Sequence, residues 1–129
     1  MDSNKKVLIC DDEIYILEAV QYVVNKAGYK SLLARDGEEA LTLVRREKPD
    51  MMILDLMMPK RDGFSVCKLL KEDKNTKDIY IMILTARGYE TDEINGMQCG
   101  ADEFITKPFS PRKLQQRLYE ILGDGLPEK

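Results

Sequence analysis

A single aspartate, Asp55, interrupts an apolar stretch of the sequence that otherwise has the character of a buried strand. The stretch reads MMIL over 51–54, and the segment PKRDG over 59–63 has the composition of a turn. A carboxylate buried in apolar surroundings costs several kcal/mol unless a cation or hydrogen-bond donors offset its charge. Asp55 is therefore a candidate for chemistry rather than for packing.

The other candidate residues share a position in the sequence, because each directly follows a short apolar run. They are Asp11 and Asp12 after 7–10, Thr85 after 80–84, and Lys107 after 103–106. Clustered carboxylates repel one another, so a cation is expected among them, and hard oxygen ligands favour Mg²⁺ over zinc or copper. A lysine and a hydroxyl beside Mg²⁺ are complementary to a phosphoryl group. In such a site Asp55 would be the nucleophile and would form an aspartyl phosphate.

Composition narrows the function classes further. The chain has no histidine, which excludes histidine-based acid–base catalysis, serine and cysteine triads, and histidine-ligated zinc. A net charge of −3 gives no support for direct nucleic-acid binding. The three cysteines form no CxxC pair, and neither a signal peptide nor an apolar run of membrane-spanning length is visible. We therefore expect a cytoplasmic protein with reduced thiols and no membrane contact.

Short apolar runs alternate along the chain with segments of helical periodicity. The five runs, each a predicted strand, are 7–10, 31–34, 51–54, 80–84 and 103–106. Gly28 is a predicted stop for the first helix, and Ser110 with Pro111 a predicted start for the last. The fourth helix has only Ile94 and Met97 as its apolar stripe and is expected to be short. With 129 residues, we expect one domain over 1–122 and a tail or the start of a linker over 123–129.

This alternation predicts an α/β fold of the flavodoxin-like, doubly wound (βα)5 type. Its five-stranded parallel sheet would have the order 2-1-3-4-5, with helices on both faces. Strands one, three, four and five are contiguous in that order, and strand two lies at an edge. All the unusual polar residues would then meet at one carboxyl end of the sheet, beside the switch point where such folds bind ligands.

Four motifs in register resemble the receiver domains of two-component response regulators. They are DDE (11–13), ILDLMMPKRDG (53–63), ILTA (83–86) and TKPF (106–109), and the resemblance covers residues 5 to about 122. It implies that Asp55 accepts a phosphoryl group from a phosphohistidine on a sensor histidine kinase or phosphotransfer protein. Asp11, Asp12 and Asp55 would hold Mg²⁺ together with the backbone carbonyl of Met57. Thr85 and Lys107 would contact the phosphoryl oxygens.

The resemblance also implies how the signal would leave the domain. Thr85 would move towards the phosphoryl group and Phe104, at the aromatic switch position, would turn inward. The surface formed by the fourth helix, the fifth strand and the fifth helix would then change and control an effector protein or a fused output domain. A second copy of the chain is a further expected partner, in a phosphorylation-dependent homodimer. The peptide bond between Lys107 and Pro108 would be cis. Such a domain catalyses only its own phosphorylation and dephosphorylation.

Other interpretations exist for single residues and for the whole chain. Taken alone, Asp11 and Asp12 could cap a helix, Lys107 could be a solvated loop residue, and Phe104 could belong to the core. A haloacid-dehalogenase-type enzyme also uses an aspartate at a strand end as its nucleophile, but it requires a second acid two residues later, where this chain has Met57. In a flavin-binding module the first loop must bind the flavin phosphate, which Asp11 and its acidic neighbours would repel unless a metal intervened. A GTPase would need a GxxxxGK[ST] phosphate-binding loop, and the sequence contains none. A receiver domain that no longer takes phosphate stays open, although no required residue is missing.

Overall fold

The computed structural model describes residues 4–56, 58, 62–86 and 99–123. Five strands and four helices lie within these residues. In chain order they are β1 (Lys6–Cys10), α1 (Ile14–Lys26), β2 (Lys30–Ala34), α2 (Gly37–Glu47), β3 (Met51–Asp55), α3 (Gly63–Glu72), β4 (Tyr80–Ala86), β5 (Glu103–Lys107) and α4 (Pro111–Leu122).

The five strands form one parallel sheet in the order β2-β1-β3-β4-β5. The predicted fold class and strand order are therefore confirmed. β3 and β5 each continue one residue beyond the predicted run, so that Asp55 and Lys107 are the last residues of their strands. The predicted strands are one residue too short because they were bounded by apolar side chains. Backbone pairing between strands does not depend on whether the side chain is polar.

The sheet is covered on both faces, and successive strand residues alternate between two hydrophobic layers. Val7 and Ile9 of β1 pack in the layer that holds α1 and α4, whereas Leu8 and Cys10 pack in the layer that holds α2 and α3. Because both faces of β1 and β3 are buried, these strands have continuous apolar runs rather than alternating ones. Packing in the core therefore does not explain the polar residues at the ends of the strands.

Two predicted helix boundaries are confirmed. Gly28, just after α1, has a φ of 99°, a left-handed conformation that glycine adopts without steric cost. Ser110 caps α4, because its hydroxyl accepts a hydrogen bond from the backbone N–H of Lys113 at 3.2 Å, and Pro111 is the first helical residue.

Some predictions concern residues that the structure does not describe. The fourth predicted helix, with Ile94 and Met97, and the backbone carbonyl of Met57 both lie outside the described residues. The domain boundary between 122 and 123 coincides with the last residue of α4 and stays a prediction. Among the described helices, none combines the length and apolar character that a membrane span requires.

Candidate functional site

The polar residues singled out in the sequence lie at the carboxyl ends of four adjacent strands. Asp55 is level with Leu84 of β4 in the strand register, and Lys107 of β5 is level with Ala86. Asp11 directly follows β1, and Thr85 is the residue after Leu84. The side chains of Asp11, Asp55 and Thr85 are buried, with 0%, 4% and 3% of their residue surface exposed. Two buried carboxylates at one end of a sheet require a cation nearby.

Lys107 is the cation that the described residues supply. Its Nζ lies 3.0 Å from Asp55 Oδ1, 3.3 Å from Asp11 Oδ2 and 3.5 Å from Glu13 Oε1. Burial acts to lower the pKa of Lys107, but the carboxylates of Asp55 and Asp11 outweigh it and hold that pKa above its usual value. Lys107 is therefore a firmly charged ammonium group between two buried acids.

Asp11 is a buried acid with its two oxygens in different environments. Its Oδ1 accepts a hydrogen bond from the backbone N–H of Glu13 at 2.9 Å. Its Oδ2 is buried and forms the ion pair with Lys107, but that contact lacks hydrogen-bond geometry, so Oδ2 has no hydrogen-bond partner among the described residues. Burial raises the pKa of Asp11, and the Glu13 N–H and Lys107 offset this effect only in part. A buried carboxylate oxygen in this condition is an available ligand for a cation.

Three aspartates are arranged so that their carboxylate oxygens could bind a divalent cation. Asp11, Asp12 and Asp55 each offer one carboxylate oxygen, and these three atoms lie within 4.8 Å of one another. Asp12 is exposed, whereas the other two acids are buried, so an ion here would contact both protein and solvent. Such a set, without nitrogen or sulfur, suits Mg²⁺, which keeps several water ligands.

The connection from β3 to α3 holds the end of the Asp55 strand. The backbone N–H of Leu56 donates to the carbonyl of Leu84 at 3.1 Å, and the N–H of Gly63 donates to the carbonyl of Leu56 at 2.9 Å. Asp62 caps α3, since its Oδ1 accepts from the N–H of Ser65 at 2.9 Å. The first turn of α3 is thus tied directly to the strand that carries Asp55.

The remaining predicted residues lie on β5 and just after it. Phe104 is half-buried, packs against the hydrophobic layer of α2 and α3, and is level with Ile83 of β4. It precedes Lys107 by three residues, which is about 10 Å along a strand. The peptide bond between Lys107 and Pro108 is cis.

Two residues with a place in this site had no role assigned from the sequence. Glu13 was part of the DDE motif, and it contributes a backbone donor to Asp11 and a carboxylate to Lys107. The sequence predicts Gly63 only as the end of a turn, yet it approaches the backbone of Asp55 closely. The signal for Gly63 was its position directly after an N-cap aspartate, which predicts a helix start beneath the strand end.

Comparison with known proteins decides the family. The model of the response regulator receiver domain matches residues 7–119. The chain belongs to the response regulator receiver family. The resemblance inferred from the four motifs is therefore confirmed, and a role in two-component signal transduction follows from it.

Individual relatives agree with this assignment. The alkaline phosphatase synthesis transcriptional regulatory protein PhoP of Bacillus subtilis is 46% identical over 119 residues, which are 92% of this chain and 49% of that protein. The chain thus spans about half the length of this relative. The structure of Vibrio cholerae chemotaxis protein CheY4 superposes with a TM-score of 0.85 at 32% identity, covering 93% of this chain and 100% of that chain.

A third relative has a metal in its structure. The receiver domain of the sensor histidine kinase PA1611 of Pseudomonas aeruginosa has a TM-score of 0.85 and 25% identity, and it covers 95% of this chain and 100% of its own. That structure has a magnesium ion coordinated in its active site cleft.

Proposed function

We propose that this receiver domain is a phosphoryl-accepting switch in which Asp55 is the acceptor. The observation that carries the proposal is the contact of Lys107 Nζ with Asp55 Oδ1 at 3.0 Å, beside Asp11 Oδ2, which pairs with Lys107 but accepts no hydrogen bond from the described residues. A structural ion pair would satisfy its charges, whereas among the described residues this cluster contains more carboxylates than its lysine can neutralise. An excess of buried negative charge next to one ammonium group is what a cation and an incoming phosphoryl group would complete.

Asp11, Asp12 and Asp55 would hold Mg²⁺, together with the backbone carbonyl of Met57. When bound, Mg²⁺ offsets the charge of the acids and of the phosphoryl oxygens. The magnesium ion in the related Pseudomonas domain supports this assignment. Asp11 Oδ2, which is buried and accepts no hydrogen bond within the described part of the chain, also supports it.

The transfer step uses the chain's own residues. An oxygen of the Asp55 carboxylate attacks the phosphorus atom in line, the bond to the donor's leaving atom breaks, and an acyl phosphate forms on Asp55. Lys107 offers its ammonium protons to the phosphoryl oxygens, and the Thr85 hydroxyl donates to another of them. The burial of Asp55 limits access of other nucleophiles and strengthens these electrostatic contacts.

The phosphoryl donor and the element that reads the phosphorylated state would both lie outside this domain. The chain has no histidine, so a phosphohistidine must come from a sensor histidine kinase or a phosphotransfer protein. We propose that Thr85 and Phe104 then reposition and that the surface of β5 and α4, with the segment between β4 and β5, changes its partner affinity. An effector protein, a linked output domain or a second copy of the chain would read that change.

Mass spectrometry of the intact protein tests the acceptor. Wild type incubated with acetyl phosphate and Mg²⁺ should gain the mass of one phosphoryl group, whereas Asp55→Asn should gain none because an amide oxygen is a poor nucleophile here. Asp78→Asn is the matched control, since Asp78 is an exposed acid on the loop before β4. It should be labelled like wild type.

Two outcomes would contradict the assignment. One is the absence of an adduct on wild type, and the other is an undiminished adduct on Asp55→Asn. Removal of Mg²⁺ with a chelator should abolish labelling of wild type, and unchanged labelling would contradict the metal requirement while leaving the acceptor in place.

A further inference from the structure

Gly63 approaches the backbone of the acceptor strand more closely than a side chain allows. A Cβ atom added to Gly63 would lie 2.5 Å from the carbonyl oxygen of Asp55 and 3.0 Å from the Cα atom of Leu56, where ordinary contact begins at 3.4 Å. Both neighbours are backbone atoms, which cannot rotate away as the end of a flexible side chain can. The close approach therefore requires glycine at this position.

The close contact of Gly63 is with the backbone of Asp55, the proposed phosphoryl acceptor. The N–H of Gly63 donates to Leu56 at 2.9 Å, so the start of α3 cannot retreat without loss of that bond. A side chain at 63 must consequently move either the first turn of α3 or the end of β3 by about 1 Å. Asp55 Oδ1 is 3.0 Å from Lys107 Nζ, and a displacement of the end of β3 by that much away from Lys107 would take the pair out of hydrogen-bond contact.

We propose that Gly63 is a positioning residue for the phosphoryl acceptor. Its missing side chain lets α3 begin directly against the carbonyl of Asp55, which fixes the carboxylate relative to Lys107 and to the acids that bind Mg²⁺. The inference rests on the proposed function of Asp55 as acceptor. It assigns to the DG dipeptide at 62–63 two separate tasks, helix capping by Asp62 and close approach by Gly63.

The test compares Gly63→Ala with Gly123→Ala, which provides a matched steric control. A Cβ atom added to Gly123 would also lie 2.5 Å from a carbonyl oxygen, that of Tyr119, but at the far end of α4. Labelling by acetyl phosphate at saturating Mg²⁺ should be on the order of 10- to 100-fold slower in Gly63→Ala, because a misplacement near 1 Å costs about that much. Gly123→Ala should stay within about twofold of wild type.

Magnesium affinity is a second measurement that does not depend on phosphorylation. Isothermal titration calorimetry should give Gly63→Ala an affinity for Mg²⁺ several-fold below that of wild type, because Asp55 belongs to the ligand set. Gly123→Ala should bind Mg²⁺ as wild type does. Circular dichroism under the assay conditions reports whether each variant is folded.

Each outcome decides the inference. Wild-type labelling and Mg²⁺ affinity in a folded Gly63→Ala would overturn it, and so would an equal loss in Gly123→Ala. An unfolded Gly63→Ala would also overturn it, since the close approach would then serve the whole fold rather than the acceptor. Failure of wild type to be labelled would instead refute the proposed function, and the calorimetric comparison would still decide whether Gly63 positions Asp55.

Discussion

The two ends of β5 each join a cluster of charged residues, and the two clusters are built differently. The acidic cluster, at the carboxyl end, consists of Asp11, Asp12, Asp55 and Lys107. The arginine cluster, at the amino end, consists of Tyr80, Glu103, Arg117 and Glu120. Both connect strands to neighbouring segments of the chain.

The arginine cluster satisfies its charges with well-formed hydrogen bonds. Arg117 donates to both oxygens of Glu103, from Nη2 to Oε1 at 2.6 Å and from Nε to Oε2 at 2.8 Å, and from Nη1 to Glu120 at 2.6 Å. The Tyr80 hydroxyl donates to Glu103 at 2.8 Å and accepts from Arg117 at 3.1 Å. These bonds hold β4, β5 and α4 together by charge-assisted contacts.

The acidic cluster has the opposite character. One lysine faces several carboxylates, and the Oδ2 of Asp11 accepts no hydrogen bond among the described residues. Asp11 is completely buried, whereas the side chain of Glu103 is 20% exposed. The more deeply buried cluster is thus the one in which, among the described residues, a buried oxygen lacks a hydrogen bond. We infer that stability explains the arginine cluster, whereas the acidic cluster is retained for what it binds.

The largest expected difference between the clusters is their response to Mg²⁺. At a concentration 100-fold above its dissociation constant, Mg²⁺ should raise the free energy of unfolding of wild type by about 2.7 kcal/mol. The double variant Asp11→Asn with Asp12→Asn should show almost none of this increase, because it lacks two of the three acids. Urea denaturation with and without MgCl₂, at matched ionic strength, measures the effect.

The arginine cluster supplies the control for this prediction. Arg117 lies on α4 and contacts Glu103 at the amino end of β5, so Arg117→Met should retain the full increase with Mg²⁺. An equal increase in the double aspartate variant would show that the acids do not bind the ion. Loss of the increase in Arg117→Met would show that the two clusters are not independent.

The next largest effect should come from Arg117→Met without added metal. Within the described residues, the substitution leaves Glu103 with the Tyr80 hydroxyl as its side-chain donor and removes Arg117 from Glu120. It should lower the free energy of unfolding by about 1–2 kcal/mol. This value is discounted because the Arg117 side chain is 34% exposed and therefore screened by solvent. Arg112→Met, which removes an exposed arginine from the same helix, should change stability by less than about 0.5 kcal/mol. Equal losses in the two variants would contradict the special role of Arg117.

The acidic cluster could be predicted from the sequence because the position of a residue along its strand determines where it lies in the sheet. Asp55 and Lys107 are 52 residues apart, but each is the residue that ends an apolar run. Parallel strands place all such ends at one edge of the sheet, so the position in the run was sufficient. The strand order then made strand ends one, three, four and five neighbours.

The arginine cluster and the role of Gly63 could not be predicted in this way. Tyr80 and Glu103 lie at the starts of neighbouring strands, but Arg117 lies on a helix, and nothing in its spacing requires that it meet them. Their contacts depend on how α4 crosses β5 and on which rotamer the arginine adopts. The contact of Gly63 with Asp55 depends on the angle at which α3 leaves the sheet, which a turn composition does not determine.

The smallest expected effect is a pH-dependent one in the arginine cluster. Burial alone would raise the pKa of Glu103, but donation from Arg117 and Tyr80 outweighs it and holds the pKa below its ordinary value of 4.5. A carboxyl group whose pKa is lowered in the folded state stabilises the protein above 4.5, and this contribution is lost as the pH falls through the lowered pKa. Glu103→Gln should therefore be less stable than wild type by about 1 kcal/mol at pH 7. The difference should shrink below pH 4.5.

Urea denaturation of wild type and Glu103→Gln from pH 7 to pH 3 measures this difference. Glu72→Gln, at an exposed acid of α3, is the control and should follow wild type throughout. A difference that stays constant to pH 3 would mean that glutamine fails for steric reasons rather than for lack of charge. A difference that grows as the pH falls would mean that burial, and not Arg117, dominates the pKa of Glu103, and the arginine cluster would then resemble the acidic one.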